Sequence, residues 1–307
     1  MDIGLGIPQI GHFADPSLTC SLARRAEAAG YSSLWALDRL LTPTAPRNPY
    51  PASADGSLPA EQRVIMDPIV TLTAAAAVTT TIRVGTNVLV APWYPPVLLA
   101  RSLATLDRVS NGRLTVGLGL GWSIDEYDAV GAPMRNLGIR MEEILEVLHM
   151  AWNHDVVEIE TTRETIKPAA IGLRPLQRPR PPLVLAAYTP AGFERIARRA
   201  DGWTPVGIPL DVVADIWTSI LETAARYGRD TSAMRLVQRA NVKITGSELA
   251  DDRPSFVGSL AQVRSDIERA EAVGCHELIL DLQATTETVD EMLDLADQLT
   301  ARMLAAV

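Results

Sequence analysis

The residues of this 307-residue chain best suited to chemistry are single carboxylates and one run of glycines, rather than a compact set of metal ligands or nucleophiles. The four histidines, His12, His149, His154 and His276, give no HExxH spacing that would bring two imidazoles to one metal, so metal catalysis is not expected. No Gly-x-Ser-x-Gly elbow points to a hydrolase. Gly117, Gly119 and Gly121 in TVGLGLGW follow an apolar run and suit close approach of backbone to a ligand. A dinucleotide-binding loop, however, needs its third glycine at position 122, which is Trp122. The alternative reading is that these glycines relieve crowding at the rim of a barrel. Asp38 ends another apolar run and is the carboxylate best placed for a site; capping a turn or pairing with Arg39 is its competing role. Asp125 and Glu126 suit the first turn of a helix, where the positive end of the dipole favours acids.

The elements that would position these residues alternate strand and helix, the order that parallel sheets require because parallel neighbours need crossover connections. Strands are predicted at 3–7, 33–37, 82–88, 114–118, 183–186, 202–205, 236–244 and 277–280. Helices are predicted after Asp15, where Leu18, Leu22, Ala26 and Ala29 share a face and Gly30 stops the run, and at 68–78, 95–110, 139–152, 191–200, 211–227, 259–273 and 287–304. Eight strands without an evident linker favour a closed (β/α)8 barrel over an open doubly wound sheet, as one unit over residues 1–307. In such a barrel the chemistry sits at the C-terminal strand ends, which is where Asp38 falls, with His12 just past the first strand. Two stretches break the pattern. Residues 41–67 hold Pro43, Pro46, Pro49, Pro51 and Pro59 and read as an irregular excursion, and residues 155–180 read as a hairpin followed by a basic, proline-rich connector.

Composition narrows the partners. A formal net charge of −9 argues against a phosphate-backbone partner, so no nucleic acid is expected. With 47% hydrophobic and 21% charged residues the chain reads as a globular enzyme with a large core. Cys20 and Cys275 supply neither a disulfide framework nor a CxxC site, which fits a reducing cytoplasm. No apolar run approaches the roughly 20 residues a membrane helix needs, and the acids and prolines of MDIGLGIPQIGHFADP do not make a signal peptide; no membrane association is expected.

The order of motifs resembles the luciferase-like monooxygenase superfamily, particularly its actinobacterial F420-dependent oxidoreductases, over most of the chain. The most specific block is residues 95–148: a helix, the SNGR turn, the glycine-rich strand end, Asp125 and Glu126, Gly131-Ala132-Pro133, and the Glu-rich helix RMEEILEVL. AAGYSSLWALD at 28–38 and LVLAAYTPAGFERIARRADGW at 183–203 agree with it. The resemblance implies a bacterial luciferase-like TIM barrel holding coenzyme F420, or alternatively FMN, in its mouth.

Carried over by position, Asp38 is a cofactor-facing acid, and Asn87 and Val88 match a bulge with a non-prolyl cis peptide. Gly119 and Gly121 lie beside the cofactor, and Ala187, Tyr188, Thr189 and Pro190 form the turn that cradles its phosphate. His12, Arg39, Tyr50, Met66 and Trp122 are assigned to the substrate pocket, with Tyr50 and Met66 supplied by the 41–67 excursion acting as a lid. Sugar-phosphate dehydrogenases of the superfamily carry a histidine where this chain has Arg39 and a catalytic glutamate where it has Trp122, so their acid/base mechanism does not transfer. Asp38 and Trp122 are the remaining catalytic candidates. The expected activity is hydride transfer between deazaflavin C5 and a small organic substrate by a homodimer. The alternatives are an FMN-dependent monooxygenase using O2 and a non-catalytic flavin- or deazaflavin-binding barrel.

Overall fold

The computed structural model describes residues 1–51, 53 and 55–304; Ala52 and Ala54 of the expected excursion, and residues 305–307 of the expected unit, lie outside the described residues. Eight strands form the frame: β1 Asp2–Gly6, β2 Ser33–Ala36, β3 Arg83–Thr86, β4 Leu114–Gly119, β5 Leu183–Leu185, β6 Gly202–Trp203, β7 Arg235–Asn241 and β8 Glu277–Asp281. Each pairs in parallel with the next, and β8 returns to pair with β1, Ile3 opposite Leu278, so the ring closes as a (β/α)8 barrel without a free edge.

The helices follow their strands: α1 Pro16–Ala28, α2 Pro68–Ala77, α3 Pro96–Val109, the short α4 Ile124–Ala129, α5 Leu137–Asn153, α6 Pro190–Arg199, α7 Leu210–Arg226, α8 Leu260–Ala272 and α9 Val289–Leu304. Their starts are written locally. Asp15 and Asp67 accept from the backbone N–H of Ser17 and Val70, each beside a proline at the first helical position, where the missing N–H costs nothing. Gly30, at φ +85, ends the turn after α1 in a conformation that favours glycine.

Inside the ring, Trp35 packs with Val184, Val237 and Ile279. Its indole fits because β1 and β3 place glycines against it: a Cβ on Gly85 would lie 2.5 Å from the ring and one on Gly4 2.9 Å from Nε1. Trp35 Nε1 donates to Ser33 Oγ at 2.7 Å and to Glu277 Oε1 at 2.9 Å, and Arg83 Nη2 donates to Glu277 Oε2 at 2.8 Å, so the floor of the barrel is plugged and its buried polar atoms are paired.

Two of the predicted strands are interrupted. The predicted strand at 82–88 stops at Thr86 and resumes as Leu89–Val90, and the predicted strand at 236–244 breaks at Val242 because Lys243–Ile244 leaves the ring to pair with Val257–Gly258. The hairpin expected within 155–180 is present as antiparallel Val156–Glu160 and Thr165–Ala170. Arg140 of α5 holds it through Glu164.

Candidate functional site

Asp38 follows β2 at the mouth of the barrel, and its side chain is 9% exposed. It does not pair with Arg39. Val90 N–H and Tyr94 O–H both donate to its Oδ2, at 3.0 and 2.9 Å, which leaves Oδ1 as the oxygen to carry a proton. Burial pushes the carboxyl up to about 6 against the pull of those two donors, with the charges of Asp67 and Glu126 adding to the rise. The chain before it is clamped by Gln9, whose Oε1 accepts from Leu37 N at 3.0 Å while its Nε2 donates to the carbonyls of Leu37 and Met66 at 2.6 and 2.8 Å.

At the end of β3 the Asn87–Val88 peptide is cis. Val84 lies opposite Leu114 but Leu89 lies opposite Leu118, so the β3 side runs one residue longer than β4, which is a bulge. The glycines of β4 make room for it. A Cβ on Gly117 would meet the Thr86 carbonyl, one on Gly119 would lie 2.5 Å from Val88 Cγ2, and one on Gly121, at φ +65, would lie 2.6 Å from Val90 Cγ1. The packing of the bulge therefore requires glycine at 119 and 121.

Arg39 and Trp122 meet across the rim: the guanidinium carbon lies 4.8 Å from the indole centroid, and the Arg39 side chain is 8% exposed. Glu126, 1% exposed, does more than open a helix. Its Oε1 accepts from Arg39 Nε at 3.0 Å and from the backbone N–H of Leu40 and Leu41 at 2.8 and 3.3 Å. The 41–67 excursion is fastened to the same short helix. Asn48 donates to the Trp122 carbonyl at 2.8 Å and accepts from Ile124 N at 3.0 Å, Arg47 pairs with Asp125 and Asp128, and the Tyr50 ring lies 5.3 Å from Trp122. Its far end returns to the segment after β1 through Met66 N, which donates to the Gln9 carbonyl, and through the Ile10–Ile65 bridge. Tyr50 and Trp122 are thus brought together beside Arg39, whereas Met66 joins the Gln9 clamp. His12 sits half-exposed in the turn after β1, 3.7 Å from Glu287.

After β5, Ala187 and Tyr188 lead into α6. Thr189 caps it by accepting from Gly192 N at 3.2 Å, with Pro190 at the first helical position, and the turn is close: a Cβ on Gly192 would lie 2.7 Å from Ala187 Cβ. Tyr188 is 53% exposed.

One polar cluster escaped the sequence reading. Arg239 and Asp281, near the ends of β7 and β8, form a buried ion pair. Arg239 Nη1 donates to the Asn87 carbonyl at 3.2 Å and its Nε to Asn241 at 2.8 Å, Asn87 Nδ2 donates to Thr204 Oγ1, and Gln283 donates to Asp281 from its backbone and side chain. The signal was a charged residue at the C-terminal end of each of two adjacent apolar strands, in LVQRAN and LILDLQ.

Among the described residues no group of three or more His, Cys, Asp or Glu side chains is arranged to hold a metal ion, and no helix is long and apolar enough to cross a membrane. A groove of about 760 Å³ lined by Phe193, Ile216 and Tyr227 lies between α6 and α7, outside the strand ring, and shares none of the residues at the mouth except Pro190.

The luciferase-like monooxygenase family model matches residues 8–306. The uncharacterized protein Rv0953c of Mycobacterium tuberculosis is 35% identical over 204 residues, which are 64% of this chain and 72% of that protein. The crystal structure of monooxygenase RslO1 from Streptomyces bottropensis matches with a TM-score of 0.81 at 21% identity, covering 100% of this chain and 99% of that one. An F420-dependent secondary alcohol dehydrogenase in complex with an F420–acetone adduct matches with a TM-score of 0.77 at 17% identity, covering 97% of each chain. At these identities the two structures speak for the fold alone.

Proposed function

Because this chain belongs to the luciferase-like monooxygenase family, we propose that it is an oxidoreductase that binds coenzyme F420 at the C-terminal strand ends and passes a hydride between the deazaflavin and a small organic substrate. The observation that carries the reading is the succession of Asp38, the Asn87–Val88 bulge, Trp122 and the Tyr188–Pro190 turn on four strands that are consecutive in the ring. The donor set fits the group. At the start of α6 Pro190 has no N–H and those of Gly192 and Phe193 are taken by Thr189, so the Ala191 N–H and the positive end of the helix are what would meet its phosphate, and the bulge and Trp122 offer apolar surface to a planar ring. Bound F420 would supply the hydride chemistry at its C5.

The chain's own residues orient, shield and hold protons. Asp38 can take or release a proton at Oδ1 near neutral pH, because its Oδ2 is already engaged and its ionisation lies at about 6. The 41–67 excursion, fastened to α4 and to Gln9, serves as the lid that excludes water and carries Tyr50 to Trp122. Arg239 holds the bulge through the Asn87 carbonyl.

The family's description as monooxygenases favours as the second reading a flavin-dependent monooxygenase built on the same barrel. Titrating the apoprotein separately with oxidised F420 and with FMN, following cofactor fluorescence, separates the two. Tight F420 binding with weak FMN binding is expected. The reverse result moves the protein to the flavin enzymes, and binding of neither removes the cofactor assignment.

A further inference from the structure

Two buried groups, the Gln9 clamp on the chain before Asp38 and the Arg239–Asp281 pair, are joined by one residue, Gln283. Its Oε1 accepts from the backbone N–H of Gln9 at 2.8 Å and of Ile10 at 3.1 Å, while its own N–H and Nε2 donate to Asp281 Oδ1 at 3.2 and 3.1 Å. From Asp281 the bonds continue through Arg239 to the Asn87 carbonyl, and from Gln9 they continue to Leu37 and Met66. Val90 N–H, at the other end of the bulge, donates to Asp38, the residue after Leu37. The bonds therefore close into a circuit at the C-terminal end of the barrel. Arg239 stands on β7 and the bulge follows β3, on opposite sides of the ring, so the guanidinium ties facing walls of the barrel together.

The members of this circuit are shut away from water: Gln9 is 0% exposed, and Arg239, Asp281 and Gln283 are 8% exposed. A buried donor or acceptor that loses its partner has no water to replace it, so no joint can open without cost to the next. Both Nε2 hydrogens of Gln9 are engaged, on the carbonyls of Leu37 and Met66, and its main chain is engaged with Gln283 and Met66. Displacing Met66 therefore strands Gln9, and displacing Gln9 strands Gln283 and, through it, Asp281. We propose that Gln283 is a positioning residue that makes the Asn87–Val88 bulge, the Asp38 segment and the return end of the excursion at Ile65 and Met66 open and close as one unit. A molecule settling against the bulge would then firm the excursion without touching it. That use in turnover rests on the reading of the excursion as the cover of a cofactor site; the coupling itself does not.

Arg63 is exposed just before this return end, so tryptic cleavage after it in the native full-length protein reports opening there. Arg101, exposed within α3, reports opening of the barrel as a whole. The perturbation is Arg239→Lys, which keeps a cation for Asp281 but lacks the fork that also reaches Asn87. It is expected to speed cleavage after Arg63 about tenfold, in keeping with loss of one hydrogen bond from a charged donor, and to change cleavage after Arg101 far less. In Gln283→Met, which removes the link, cleavage after Arg63 should already be faster, and adding Arg239→Lys should change it by less than about twofold. Melting curves establish that each variant is folded. Gln283→Leu stands in if Gln283→Met is not, and the Arg239→Lys result tests the proposal by itself. No acceleration after Arg63 in Arg239→Lys, equal acceleration after Arg63 and Arg101, or an undiminished effect in the Gln283→Met background overturns the proposal. Cleavage is followed without cofactor, so failure of F420 or FMN to bind and failure of the coupling are separate results.

Discussion

Replacing Asp38 by asparagine should remove a pH-dependent cost from the folded state, and the structure sets its size. The carboxyl is pushed from its ordinary 3.8 to about 6, chiefly by burial. Below 3.8 it is protonated in both folded and unfolded chains and contributes nothing. Between 3.8 and about 6 the folded chain keeps a proton that the unfolded chain has released, so this group lowers stability as pH rises; above about 6 the full cost of a buried charge is present. Two pH units at about 1.4 kcal/mol each amount to roughly 3 kcal/mol. Asparagine has the same shape, and its amide oxygen can accept from both Val90 N–H and Tyr94 O–H, yet it carries no charge. Urea unfolding of both proteins, followed by tryptophan fluorescence across this range, gives two stability curves. Their difference cancels every other titrating group and should move by roughly 3 kcal/mol in favour of the Asp38→Asn variant on going from acid to neutral pH. Parallel curves would refute the argument, because a carboxyl of ordinary pKa cannot separate them.

Gly117→Ala drives a methyl group into the Thr86 carbonyl and should cost about 1–3 kcal/mol or more, read as a lowered Tm. Arg239→Met strands the buried Asp281 carboxylate and should cost about 3–5 kcal/mol, whereas Arg239→Met combined with Asp281→Leu should cost less than the single change in the same denaturation assay. Glu126→Ala leaves Arg39 Nε and the N–H groups of Leu40 and Leu41 without their acceptor, and proteolytic cleavage within 41–67 should accelerate. Removing the excursion should lower turnover far more than Tm, and equal loss of both would dispose of the lid.

The strands and helices of the barrel were legible because each carries its own period and its own stop signal, as Asp15, Pro16 and Gly30 do around α1. Asp38 and Trp122 were legible as strand-end residues. What they touch was not, since that depends on chain far away in sequence: Asp38 is held by Val90 and Tyr94 across the bulge, and Trp122 by Arg39, Asn48 and Tyr50 from the excursion. Glu126 fits the local rule for a helix-start acid, while its buried carboxylate reaches three donors, on Arg39, Leu40 and Leu41, where the chain enters the excursion. Arg239 and Asp281 do not stand out in the sequence, because a charged residue inside an apolar strand is recognisable only when its counter-ion is known to lie on the next strand. The glycine run was visible, but its reason lies in Thr86, Val88 and Val90 of the neighbouring strand.

The plugged floor of the barrel ties together positions that local sequence keeps apart. Trp35 fits only while residues 4 and 85 bring no side chain of their own, so those three sites draw on one fixed volume. A larger residue at 85 becomes tolerable only if position 35 shrinks with it, and truncating Trp35 alone opens a void that a methyl at 85 would partly refill, whereas one at 4 would still meet Ser33 Oγ. Substitutions at these sites would therefore be accepted in compensating sets and rejected singly. In a directed-evolution experiment starting from Gly85→Ala, the first rescuing change is expected at Trp35, on a different strand, with no effect on what the open end of the barrel admits.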